Sequence, residues 1–212
     1  MGAKKNEQVI ELKPINPKTI TVTIEGTSDL VLNKMNDPTA KALTDARKDK
    51  AKNLEKPNEW EQIITAIHWL KGKPTDMSEA GLQDALVNNA PCITAFGLKK
   101  SFADAVVRNE ISQYATKFNA SVNVIGQGDN LVPIKFAEYH IDEKLMSPKK
   151  GAPVLVHLSR FSGWTADITI SFMDTVYSEE QILNIINLAG FGLGIGSGRS
   201  SGYGRYRVVG VK

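Results

Sequence analysis

A single cysteine, Cys92, occurs in 212 residues. One thiol cannot build a disulfide framework, which points to a reducing compartment. No stretch approaches the roughly 18 consecutive apolar residues that span a bilayer, so no membrane partner is expected. Met1-Gly2-Ala3-Lys4-Lys5 is not followed by an apolar run of signal-peptide length. Asn6 stands where a myristoylation motif wants Ser or Thr. Asn119-Ala120-Ser121 matches a glycosylation sequon by chance, since the lone cysteine argues for the cytoplasm. The three histidines, His68, His140 and His157, share no metal-ligand spacing, so neither a metal site nor a cofactor is expected.

Acidic residues are also missing from one region. After Glu180 there are none, while Arg199, Arg205, Arg207 and Lys212 remain, so the C-terminal end is basic although the net charge is only +3. A second basic stretch, Lys41 to Lys56, sets six Lys/Arg against Asp45, Asp49 and Glu55. Mixed runs of that kind usually face water. With 42% hydrophobic and 23% charged residues, the chain can bury a core of ordinary size and is expected to form one domain.

Ile20, Val22 and Ile24 alternate with threonines between Thr19 and Glu25, which predicts a half-buried strand. Gly26-Thr27-Ser28-Asp29 turns it, and Leu30-Val31-Leu32 continues extended. Residues 36–57 show no apolar face. Helices are predicted from Asn58 to Leu70 on Ile63, Ile64 and Ile67, from Ser78 to Asn88, and around Phe96 to Arg108. Gly126, Gly128, Pro133 and Pro148 break residues 110–152 into what reads as a long irregular insertion.

Val154, Val156 and Leu158 alternate, as do Ile168, Ile170 and Phe172, and Phe161-Ser162-Gly163-Trp164 between them predicts a hairpin. Ser178 and Gln181 form a capping box. Ile182, Ile185, Ile186 and Ala189 then step along one helix face up to Gly190, and Tyr203 to Val209 reads as a last strand. The predicted fold class is α+β: a ferredoxin-like (RRM-like) βαββαβ core with large helical and irregular insertions and a C-terminal glycine-rich loop.

The loop from Gly190 to Gly204 holds seven of the seventeen glycines. Glycine lets backbone N–H groups approach a phosphate closely. A dinucleotide-binding GxGxxG is excluded, because no triplet has its spacing and the loop follows a helix instead of opening one. A Walker A loop lacks its Gly-Lys-Ser/Thr. Gly202-Tyr-Gly-Arg-Tyr-Arg207 mimics an RRM signature, yet Ser201 replaces its leading basic residue and the following helix and strand are missing. A loop that merely packs tightly over the sheet stays open as the plain alternative.

Three places resemble the RAMP superfamily, the RNA-holding subunits of CRISPR effector complexes and their relatives. They are the helix Ile182–Ala189 running into Gly194-Ile-Gly-Ser-Gly-Arg-Ser-Ser-Gly-Tyr-Gly-Arg205, the opening strand Thr19 to Lys34, and Ala95-Phe-Gly-Leu-Lys-Lys-Ser-Phe-Ala-Asp-Ala-Val106. With the elements between them they cover about half the chain, whose layout also resembles RAMP-like proteins of phages and prophages. The resemblance implies a single RAMP-like domain over residues 1–212, with insertions at approximately 33–92 and 110–152. It implies binding of single-stranded RNA or DNA, without catalysis, by several copies or beside neighbouring RAMP-type subunits. The setting would be the cytoplasm of a bacterial or phage-infected host cell. Phosphates would lie over Gly194, Gly196, Gly198, Gly202 and Gly204, with charge from Lys99, Lys100, Arg160, Arg199, Arg205 and Arg207 and a contact from His157. Two other readings stay open: a phage protein-interaction module mimicking or inhibiting a CRISPR subunit, and a metal-independent RNA endonuclease. Relatives that cut RNA use a histidine, or an aspartate after the first strand. Here Asp29 reads as a turn residue with Ser28, Asp37 lies further on, and His68 reads as core or edge, so no catalytic residue is assigned.

Overall fold

The computed structural model describes residues 16–48, 58–146 and 154–212. Lys50, Lys52 and Lys56 of the basic stretch, and residues 147–152 of the second expected insertion, lie outside the described residues.

Strand β1 (Pro17–Gly26) turns at Thr27–Asp29 into β2 (Leu30–Leu32). Helix α1 (Asp37–Lys48) follows, in a stretch whose lack of an apolar face left a solvated helix or a loop as alternatives. Its start is encoded by Asn36, whose Oδ1 accepts from the Thr39 N–H at 2.9 Å, and by Pro38 in the first turn. Helix α2 (Glu59–Thr65) is shorter than its isoleucine spacing suggested, because the Trp69 indole N–H donates to the Ile64 carbonyl at 2.8 Å and the chain leaves as β3 (His68–Trp69). Next come α3 (Glu79–Asn88), capped by Ser78, then β4 (Pro91–Thr94) and α4 (Ala95–Arg108), capped by Thr94.

The stretch expected to be irregular is regular over most of its described part. It contains α5 (Thr116–Ser121), β5 (Val122–Ile125), β6 (Leu131–Lys135) and β7 (Glu138–Met146). Gly126 and Gly128 fall between β5 and β6, Pro133 sits within β6, and Pro148 lies outside the described residues; strands of four or five residues leave little periodicity to read.

The predicted hairpin is also corrected. Strands β8 (Val154–Ser162) and β9 (Thr165–Met173) exist and Gly163 turns between them at φ 58°, but they belong to different sheets. β8 pairs with β7 along its length and with β2 at Leu30–Leu32, giving the order β2-β8-β7. β9 pairs with β1 from Thr165 to Met173 on one side; on the other it takes β5 against Thr169–Phe172 and β6 against Thr165–Ala166. Alternation identifies a strand but not its neighbour. Helix α6 (Glu179–Gly192) runs two residues beyond Gly190, and β10 (Tyr206–Val211) begins later than expected.

The larger sheet is ordered β10-β1-β9-β6-β4-β3, all antiparallel, with β5 beside β6 on β9. Ile20, Val22 and Ile24 of β1 and Ile168, Ile170 and Phe172 of β9 are buried in one continuous core. Helices α4 and α6 pack against each other, α4 along β5 and α6 along β10. The capping box at Ser178 and Gln181 is formed, and the Ile182, Ile185, Ile186, Ala189 stripe is buried as its spacing predicts.

This packing makes a direct stability test. Ile186→Ala should cost about 2–5 kcal/mol, because Ile186 is 1% exposed and the cavity cannot collapse freely. Asn184→Ala, on the exposed side of the same helix, should change stability by no more than about 0.5 kcal/mol. Urea unfolding midpoints of the two variants check the assignment of faces.

Candidate nucleic-acid interface

The glycine loop lies against the turn between β1 and β2, held by backbone bonds. Ser197 N–H donates to the Val31 carbonyl and Gly204 N–H to the Asp29 carbonyl, both at 2.8 Å, and Ile195 N–H donates to the Gly204 carbonyl at 3.0 Å. Ser28 Oγ donates to the Gly202 carbonyl at 2.8 Å and accepts from Arg205 N–H at 2.9 Å. The buried Trp164 closes the turn by donating Nε1–H to the Ser28 carbonyl at 2.8 Å. Glycine is required by this approach. A Cβ on Gly196 would stand 2.5 Å from the Val31 carbonyl oxygen, a Cβ on Gly204 would overlap the Ile195 carbonyl oxygen, and both residues have φ above 70°.

Much of the loop's hydrogen-bonding capacity is therefore internal, unlike a loop open to phosphate along its length. The N–H groups of Gly196, Gly198 and Arg199 find no acceptor among the described residues. They lie where the loop faces α4, which is fixed against it by Ser101 Oγ donating to the Gly194 carbonyl at 3.0 Å.

Between them runs an open groove of about 240 Å³. Its walls are Asn33 and Lys34 after β2, His68 on β3, Cys92 to Thr94 on β4, Gly97 and Lys100 at the start of α4, and Ile195 to Ser197 with Arg199. The volume is below the ~300–1,000 Å³ of small-molecule pockets, so the groove suits a segment of backbone better than an enclosed ligand. Lys34, Lys100 and Arg199 give it a positive lining. Lys100 has only Asp104 as a counterion, at 3.6 Å on the exposed helix surface, a pair worth about 0.3–0.5 kcal/mol. Arg199 has no acidic partner among the described residues.

The expected site residues thus divide. Gly196, Arg199 and Lys100 meet in the groove, with Gly194 and Gly198 next to its lining. Gly202 and Gly204 join the loop to the turn, and Arg205 leans on the loop, its Nη2 donating to the Arg199 carbonyl at 3.4 Å. Lys99 points elsewhere, donating to the Asn119 carbonyl at 3.0 Å and to Asn123 Oδ1 at 2.9 Å. Arg207 is paired with Glu25 at 2.7 Å, and Lys212 lies 3.8 Å from Asp167. The acid-free tail therefore borrows two carboxylates from β1 and β9, and half of its formal charge is compensated. Arg160 lies between two carboxylates, 3.4 Å from Asp29 and 3.0 Å from Asp142. Asp29 thus binds a guanidinium, where the sequence suggested a turn bond with Ser28. His157 lines a neighbouring cleft that shares Asn33 and Lys34 with the groove, and its Nδ1 is 3.6 Å from Glu59.

Sequence reasoning missed Lys34 and read His68 as core or edge, and the structure has it half-buried on the edge strand β3. A lysine two residues after the buried triplet Leu30–Leu32 was the available signal for the first. No sequence signal placed His68 on a groove wall. Asp37, the other candidate acid, is ion-paired with Lys73 at 2.6 Å. Burial pushes the Cys92 thiol up to about 12, so it stays protonated and non-nucleophilic at neutral pH.

No protein-family model matches the chain, and no curated protein matches it. Solved structures are similar in fold, two of them as follows. A chain of the cryo-EM structure of the type III-B Cmr-beta bound to cognate target RNA aligns with TM-score 0.50 and 12% identity, over 92% of this chain and 60% of that one. The protein spans about three fifths of that chain's length. Cmr6 from Pyrococcus furiosus aligns with TM-score 0.44 and 12% identity, over 92% of this chain and 98% of that one. At such identity the first likeness shows a shared fold.

His68 supplies a pH test. Burial, then the nearby Lys34 charge, lowers its pKa below the ordinary 6.5. A depressed histidine leaves the unfolded chain to take up protons first, so its contribution to stability is complete above about pH 6.5 and declines as the pH falls toward the folded-state value. Denaturant titrations at pH 7.5 and 5.5 should show the wild type losing more stability on acidification than His68→Gln.

Proposed function

We propose that the protein is a RAMP-type subunit that holds single-stranded RNA in the groove between the glycine loop and the start of α4. The observation that carries this reading is the meeting of Lys34, Lys100 and Arg199 with the unbonded N–H groups of Gly196 and Arg199 on one open groove. Cations together with free backbone amides are what a phosphate backbone recognises without reading bases. The fold shared with a chain of an RNA-bound structure supports RNA over DNA.

In this reading β1, α4, β5, β9, α6 and β10 form a ferredoxin-like βαββαβ core, with its strands in the order β10-β1-β9-β5. The elements within 33–92 and β6 to β8 then decorate a single domain. Phosphates contact the Gly194–Gly198 arc, while Gly202, Gly204 and Arg205 hold its shape. Lys99, Arg160 and Arg207 already have partners and, like His157, lie outside the groove, so their part is secondary. In this reading the strand is held: Asp29 and Asp37 are each paired with a cation, and the Cys92 thiol is protonated.

Each phosphate contact removed should shallow the log–log salt dependence of binding by roughly 0.7 for a single strand. The variant carrying Lys34→Ala, Lys100→Ala and Arg199→Ala should therefore lose about two units of slope, and affinity with it. Arg207→Ala should change neither, because its charge is compensated by Glu25. Fluorescence titrations of labelled RNA at several salt concentrations measure both, with circular dichroism confirming the fold. A triple variant that binds like the wild type overturns the groove; equal binding of DNA overturns the choice of RNA.

Copies along one strand are also expected, since the groove is short and cooperative binding is usual for such proteins. Size-exclusion chromatography with a long RNA should give a species of many protomers. A strictly 1:1 complex would contradict this.

A further inference from the structure

The cleft beside the groove contains a second cluster. Strands β7 and β8 pair so that Glu143 lies directly opposite His157. Directly opposed residues put their side chains on one face with Cβ atoms about 4.5–5.5 Å apart. Helix α2 packs on β8, and its first residue, Glu59, reaches the same place. One ligand atom from each of Glu59, Glu143 and His157 can be chosen so that all lie within 4.8 Å of one another.

Two features set this cluster apart from an ordinary surface ion pair. The His157 side chain is only 12% exposed, and its Nδ1 is buried without a hydrogen-bond partner. A buried ring nitrogen left unbonded is costly unless something else occupies its lone pair. Second, neither carboxylate has a lysine or arginine partner among the described residues. Two exposed carboxylates are thus brought to one imidazole by two regular elements, and a cation between them would relieve what repulsion water leaves unscreened.

We propose that Glu59, Glu143 and His157 form a divalent metal site of zinc type. One imidazole nitrogen with two carboxylate oxygens is a donor set for Zn²⁺, whereas Mg²⁺ and Ca²⁺ take oxygen ligands. Three protein ligands leave the fourth tetrahedral position to solvent. The bound ion ties α2 to the β7–β8 ribbon, next to Asn33 and Lys34, which line both the cleft and the groove. The site does not rest on the RNA-binding reading and stands or falls separately.

The test uses the full-length, tag-free protein, stripped with a chelator and titrated with ZnCl₂ by calorimetry. One equivalent of Zn²⁺ should bind to the wild type, and Mg²⁺ should not replace it. Glu59→Gln and Glu143→Gln keep the side-chain shape and do not threaten the fold. Each should weaken binding by at least the roughly 10–100-fold that loss of even an outer-shell partner costs. His157→Gln should do the same or more. His140→Ala removes the exposed histidine beside Glu138 and should leave the titration unchanged. Absence of wild-type binding, or binding that survives all three cluster variants, overturns the site.

Discussion

Most of the architecture depends on one close approach, that of the glycine loop's backbone to the turn after β1. The contact is mostly backbone: the Ser197 and Gly204 N–H groups bond to the Val31 and Asp29 carbonyls and the Thr27 and Ser28 N–H groups to the Arg205 carbonyl, with the Ser28 hydroxyl bridging Gly202 and Arg205. The same contact joins the end of the chain to its beginning and sets β10 beside β1. It also leaves the N–H groups of Gly196, Gly198 and Arg199 without an acceptor among the described residues. A Cβ at Gly196 or Gly204 would force the two backbones apart, and the groove would open with them. Trp164, buried beneath the turn, fixes its other side and links it to the start of β9.

Electrostatics then decides which cations remain available. Formal charge placed the whole C-terminal end in one class, but the sheet sorts its members. Arg207 and Lys212 stand near carboxylates of neighbouring strands, while Arg199, lifted out on the loop, has none near it. Arg160 is held between Asp29 and Asp142 and helps fasten the small sheet to the β1–β2 turn. Two carboxylates neutralise its charge, although its Nε is buried without a hydrogen-bond partner. Lys34 belongs to the groove because the three buried residues before it end at its rim.

The legible parts of the sequence were the long periodic ones. The threonine-isoleucine alternation of β1, the Ile182–Ala189 stripe and the capping box at Ser178 all appear as read, because each is a local pattern repeated often enough to be unambiguous. Strand partners were not legible: β8 and β9 look like a hairpin, yet Gly163 passes the chain from one sheet to the other. The short strands β3 to β6 lack the length for a pattern to emerge. In the candidate site, the glycines and Arg199 were visible as a composition anomaly. Their internal bonding, and the arrival of Lys34 and His68 from elements far away in sequence, depend on tertiary contacts that no local pattern records.

The central claim is that RNA lies along the groove between the glycine loop and α4. Photo-crosslinking of a single-stranded RNA to the wild-type protein, with crosslinked peptides mapped by mass spectrometry, tests it most directly. Crosslinks should concentrate on residues 33–34, 97–100 and 194–199, on three separate segments that only the folded groove brings together. Crosslinks confined to the β7–β8 ribbon or to the outer edge of β10, with none on those three segments, would contradict it.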